Sequence, residues 1–166
     1  ITDHGVMYGV INFYKAAKSA GIKPILGCEV YVAPGSRFDK TKDENESKYY
    51  HLILLAENNV GYSNLMKIVS KGFVDGFYYK PRVDREVLEK YHEGIICLSA
   101  CLAGEVARLL ASGMYEEAKK AALWHRDCFG EGNYFLELQD HGISTQQNVN
   151  QGLLRIAKET GIELVA

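Results

Sequence analysis

Apolar residues recur along the chain in two rhythms, short continuous runs and longer stretches spaced at helical intervals, and their alternation predicts strands each followed by a helix. Val10, Phe13, Tyr14 and Ala17 form the inner stripe of an amphipathic helix that Gly21 ends. KPILGCEVYVAP, bounded by Pro24 and Pro34, reads as a strand. GSRFDKTKDENESK is dense in charge and reads as a solvated loop. YYHLILLAE resumes as a strand, and a helix with Leu65, Ile68 and Val69 follows. GFYYKPRVD reads as an aromatic and basic connector, and Asp84 is placed to cap the short helix begun by DREVLEKY. GIICLSAC is a nearly continuous apolar strand. Val106, Leu109 and Leu110 mark the next helix, and Gly113 separates it from another whose stripe is Ala118, Ala121 and Ala122. NYFLELQ is a strand, and Val149, Leu153, Ile156 and Ala157 mark a helix before the terminal run ELVA.

A repeated β-α order implies an α/β fold with a mostly parallel sheet and helices outside, either doubly wound and open or closed as a barrel. No G-x-G-x-x-G follows a strand and no G-x-x-x-x-G-K-[ST] occurs, which removes the commonest nucleotide-binding open sheets and favours a barrel. With 166 residues, 47% hydrophobic and 24% charged, one domain over residues 1–166 is expected. The chain starts at Ile1 and stops in an apolar run, so both ends read as cut from something longer.

Charge narrows the chemistry. A net charge of −2 gives no global basic field, so any contact with nucleic acid must be local. Cys28, Cys97, Cys101 and Cys128 show no small-scaffold spacing, which fits reduced thiols in the cytoplasm. No apolar run approaches the roughly 20 residues of a membrane helix.

Four residues sit where a buried parallel strand calls for Val, Ile or Leu. His4 falls at a strand end, Glu29 inside GCEVYV, His51 at the head of HLILLA, and Cys101 at the close of IICLSAC. A carboxylate, two imidazoles and a thiolate suit zinc, or manganese or iron if more oxygen donors join. Each also has a plain structural alternative. His4 could cap the following helix, Glu29 could pair with a lysine, and Cys101 could be a small buried hydrophobe. Glu137 is a further candidate, with a structural salt bridge as its alternative, and Asp140 and His141 read equally well as a turn before Gly142. His92 and His125 fall on predicted helix surfaces. Cys97 and Cys101, four apart on one strand, would share a face.

Taken together, TDHG, KPILGCEVYVAP, YYHLILLAEN, GFYYKPRVD, LSACLAGEV and LELQDHG resemble the polymerase and histidinol phosphatase (PHP) domain, in the branch carried by bacterial replicative DNA polymerases of the DNA polymerase III alpha type. The resemblance implies a distorted seven-stranded (β/α) barrel, here truncated at both ends, with a metal cluster at the C-terminal face of its strands. It places His4, Glu29, His51 and Cys101 on metal-ligand positions. The family's first H-x-H motif would precede TDHG and its last Asp-x-His-like motif would follow ELVA. The activity implied is metal-dependent 3′→5′ exonucleolytic hydrolysis of DNA, attached to a DNA-directed polymerase. Its cofactor would be a divalent metal cluster, and its partners the 3′ end of a primer strand and other replicase subunits, with no membrane. The rivals are a catalytically silent scaffold and a free-standing phosphoesterase of the histidinol phosphatase type. Lys80 and Arg82, beside Phe77, Tyr78 and Tyr79, are the expected DNA contacts.

Overall fold

The computed structural model describes residues 1–40 and 49–166. Most of the expected charged loop, residues 41–48, lies outside the described residues. The fold is mixed α/β and consists of two compact units, Ile1–Ile96 and Cys97–Ala166.

The first unit is built around β2 (Gly27–Val32), every residue of which is buried. Both faces and both edges of this strand are used. β3 (Tyr50–Ala56) runs antiparallel along one edge, from Gly27↔Leu55 to Val32↔Tyr50. The other edge is shared by two short strands. β1 (Thr2–His4) pairs in parallel with Gly27 to Glu29, and β5 (Lys80–Val83) pairs in parallel with Tyr31 and Val32. The junction between them falls opposite Val30, so the end of β1 meets the beginning of β5.

The mostly parallel sheet expected from the β-α rhythm therefore needs correction at β2 and β3. No helix lies between these strands among the described residues, and a parallel pair needs a long crossover that is usually helical. A second correction concerns GFYYKPRVD. It forms a hairpin in which β4 (Phe77–Tyr78) runs antiparallel to β5, with Tyr79 at φ 60 making the turn.

Alternation along β2 and β3 divides the first unit chemically. Cys28 opposite Leu54 and Val30 opposite Leu52 form an apolar face. α2 (Asn59–Val74) packs on this sheet and contributes the fully buried Leu65 and Ile68. Its first turn is fixed by Asn58, whose side-chain oxygen accepts a hydrogen bond from the Gly61 amide at 3.0 Å. α1 (Val10–Ser19) buries Val10 and Ala17, whereas Phe13 and Tyr14 of the expected stripe are exposed. α3 (Arg85–Tyr91) starts as expected at Asp84, which accepts from the Val87 amide.

The second unit is a three-stranded parallel arrangement with helices. It comprises β6 (Ile95–Leu98, its last two residues opening the unit), β7 (Tyr134–Glu137) and β8 (Glu163–Val165), paired in that order. α4 (Glu105–Ala111), α5 (Tyr115–Phe129) and α6 (Ser144–Thr160) pack against one another. Ala118, Ala121 and Ala122 are buried on α5, and Val149, Leu153 and Ile156 on α6, as their spacing predicts. β6 stops at Leu98, and Ala100 at φ 62 turns the chain, so Cys101 lies beyond the strand. Cys97 and Cys101 consequently do not share a strand face. His125 is 2% exposed rather than on a helix surface: it stacks on Tyr134 and approaches Glu105 at 3.3 Å. His92 is exposed, as expected.

Candidate metal centre

The face of β2 opposite its apolar side carries Glu29 and Tyr31. Register brings the other site residues to it. His4 lies directly beside Glu29, and His51 directly opposite Tyr31, which puts it diagonal to Glu29. Side chains on one face of adjacent strands can meet, and these do. His4 Nδ1 is 2.6 Å and His51 Nδ1 is 2.9 Å from the same carboxylate oxygen, Glu29 Oε1. The two imidazole rings lie 6.4 Å apart, centroid to centroid.

Glu29 is only 8% exposed, a costly position for a carboxylate. Burial pushes its carboxyl up, but the hydrogen bonds to His51 and His4 outweigh that and hold it below the ordinary value. The carboxylate form is thus stabilised by the two residues that join it in the site. Histidines, and not a lysine, are its hydrogen-bond partners. His4 does not cap α1 either, since Gly9 occupies that position without a side-chain cap.

A second layer holds His51 in place. Tyr49 stacks nearly parallel to it, 10° between planes at 6.0 Å, and the buried Tyr31 meets it edge-on at 5.3 Å. Sequence reasoning missed both tyrosines. The signal was available for Tyr31, because it lies two residues after Glu29 on a strand and so shares its face.

A carboxylate oxygen flanked by two imidazoles, part buried and in hydrogen-bonding range of both, is a donor set that fits a divalent transition metal. Deprotonated carboxylate and neutral imidazole are the forms such an ion requires. Cys101 belongs to the second unit, where its thiol sulfur accepts from the Ala103 amide at 3.4 Å.

The remaining candidates have structural partners. Glu137 Oε1 accepts from Gln139 at 2.6 Å, so an amide and not a salt bridge holds it, while its Oε2 is buried without a hydrogen-bond partner. Asp140 accepts from the Gly142 amide, and His141 is held by the buried Gln146, the turn that the sequence offered as the alternative. Arg82, one of the two expected DNA contacts, is buried. It is 4% exposed, and its guanidinium donates to the carbonyl oxygens of Gly76, Arg37 and Asp39. Lys80 is exposed, with its ammonium 5.4 Å from the Tyr31 ring centroid.

Residues 1–141 match the PHP domain family. The chain belongs to the PHP family. Its similarity to curated relatives runs along its full length. It is 49% identical over 166 residues to the DNA polymerase III subunit alpha of Borreliella burgdorferi, covering all of this chain and 14% of that protein. With the subunit of the same name from Treponema pallidum it shares 50% identity over 165 residues, again 14% of the relative. The Thermus aquaticus subunit is 40% identical over 167 residues. The chain thus spans about 14% of the length of these relatives. Among the described residues no helix is long and apolar enough to cross a membrane.

Proposed function

We propose that this chain is the PHP domain of a bacterial DNA polymerase III alpha subunit, and that its site hydrolyses the terminal phosphodiester at the 3′ end of DNA. The observation that carries the proposal is the single oxygen of Glu29 shared by His4 and His51, on three different strands, in a PHP chain. His4, Glu29 and His51 would hold a divalent metal cluster, with Cys101 as a fourth ligand. Zinc suits imidazole and thiolate donors best, and manganese or iron would fit if further oxygen donors join. Bound divalent ions supply a water of lowered pKa and stabilise the attacking and leaving oxygens of a phosphodiester displacement.

The protein's own residues have distinct tasks in this reading. Glu29, kept ionised by its two histidine partners, orients both imidazoles. Tyr31 and Tyr49 fix the plane of His51. Lys80 pairs with a phosphate of the bound strand, the role in which Arg82 is replaced by internal hydrogen bonding. With a net charge of −2, phosphate attraction rests on such local positive charge. The setting is the cytoplasm, and the partners are a primer 3′ end and the other replicase subunits.

A silent scaffold is the second reading, favoured by the internal role of Arg82, which leaves less surface charge for DNA. The two separate in the full-length subunit. Glu29→Gln and His51→Ala should each remove most excision of a 3′-terminal mismatch, because both take away a ligand of the metal centre, with nucleotide incorporation preserved. Unchanged excision in both variants would remove the exonuclease reading. Equal loss of incorporation would assign the site to folding.

A further inference from the structure

Tyr31 stands between two groups that the proposed chemistry uses separately. Its ring makes a T-shaped contact with His51, 5.3 Å between centroids, and the Lys80 ammonium sits 5.4 Å from its centroid. Tyr49 makes a third contact, edge-on at 4.9 Å. Gly5 also approaches the ring closely, since an added Cβ there would lie 2.7 Å from Tyr31 Cε2. Gly5 also has φ +72, and its amide donates to the Glu29 carbonyl oxygen at 2.8 Å. The ring therefore fills the junction where the end of β1 meets the start of β5 along the edge of β2.

We infer that Tyr31 is a positioning residue which fixes the distance between the metal-ligand imidazole of His51 and the phosphate-binding ammonium of Lys80, and so sets where a phosphate of the substrate lies relative to the metal centre. The inference rests on the metal-dependent reading above. A rigid aromatic ring suits this task. It packs against a neighbouring ring while its π system attracts a cation, and a buried two-torsion side chain has little freedom to move either neighbour. An aliphatic residue would fill the space without defining either separation. The hydroxyl is not needed for these contacts, so phenylalanine should substitute for tyrosine.

The test uses the full-length subunit with two readouts. One is zinc retained against a competing chelator. The other is the salt dependence of binding to single-stranded DNA ending in a non-hydrolysable 3′ phosphorothioate. Tyr31→Phe should match the unsubstituted protein in both. Tyr31→Leu should weaken zinc retention by roughly 10-fold, the usual effect of losing a residue that orients a metal ligand, and should lower the salt slope by about 0.7, one phosphate contact on a single strand. Gly5→Ala, which drives a methyl group against the ring, should move both readouts the same way, and it keeps the test open if Tyr31→Leu does not fold. Normal zinc retention and salt slope in folded Tyr31→Leu or Gly5→Ala would overturn the inference, as would equal damage by Tyr31→Phe. Glu29→Gln separates this from the underlying reading. If it keeps its zinc, the metal reading fails; if it loses zinc while Tyr31→Leu does not, only the role of Tyr31 fails.

Discussion

Four thiols occupy different surroundings, and their reactivities should follow. Cys28 lies on the apolar face of β2, where burial pushes its thiol up to about 12. Cys97 is completely buried, and burial raises its thiol well above the ordinary value. Thiolate is the reactive form, so neither should react near neutral pH. Cys101 and Cys128 are part exposed. Brief iodoacetamide treatment of the full-length subunit at pH 8, followed by peptide mapping, should leave Cys28 and Cys97 unmodified and alkylate Cys128. Cys101 should be protected until a chelator is added, because a coordinated thiolate is shielded from alkylation. Labelling of Cys101 that is indifferent to chelator would remove it from the ligand set. At this scale the sequence was informative about which residues are anomalous, since a glutamate and a histidine in buried strands advertise themselves. It was silent about Arg82, whose burial depends on carbonyl oxygens supplied by distant segments, and about His125, whose stacking partner Tyr134 lies on another element.

Among the elements, the hairpin of β4 and β5 shows why a connector and a strand look alike in sequence. Pro81 in the middle of GFYYKPRVD argues against an interior strand, yet β5 accommodates it where it pairs with Phe77 of a two-residue strand. A buried ion pair ties the junction of β5 and α3 to the segment that follows β2. Arg37 Nη1 donates to both Asp84 oxygens, at 2.9 and 3.1 Å, and the Arg37 amide donates to Asp84 Oδ2 at 2.8 Å. The same carboxylate caps α3. A cap alone contributes ~1 kcal/mol, whereas removing one partner of a buried ion pair costs about 3 kcal/mol or more. Asp84→Ala should therefore destabilise the segment around residues 80–91 by about 3 kcal/mol, and Asp84→Ser, which retains a capping oxygen, should recover only about 1 kcal/mol. Hydrogen exchange of peptides from this segment measures both. Full recovery by serine would show the cap to be the whole contribution. Asp84 was legible as a cap from its place before an amphipathic run. Its partner was not, because Arg37 sits in a segment whose composition reads as solvated and is brought in by folding.

For the molecule as a whole, the β-α rhythm gave the class and most elements, while strand direction was lost wherever no helix intervened, as between β2 and β3. The convergence of His4, Glu29 and His51 could be expected from strand ends but not placed, because it depends on register: a one-residue slip of β1 or β3 would turn a histidine to the opposite face. The same dependence makes the proposed metal a tie across three strands, and any ligand bound only by the folded form stabilises it by mass action. Above saturation, each tenfold rise in free zinc should add about 1.4 kcal/mol to the opening free energy of β2 amides. Exchange of peptides covering residues 27–32 in the full-length subunit, followed over three decades of buffered zinc, reads that slope directly. In Glu29→Gln the slope should vanish, since the shared oxygen no longer carries the charge that gathers both imidazoles. An equal slope in Glu29→Gln would mean that zinc acts elsewhere, and a flat response in both would mean that β1, β2 and β3 are held by their own hydrogen bonds and packing alone.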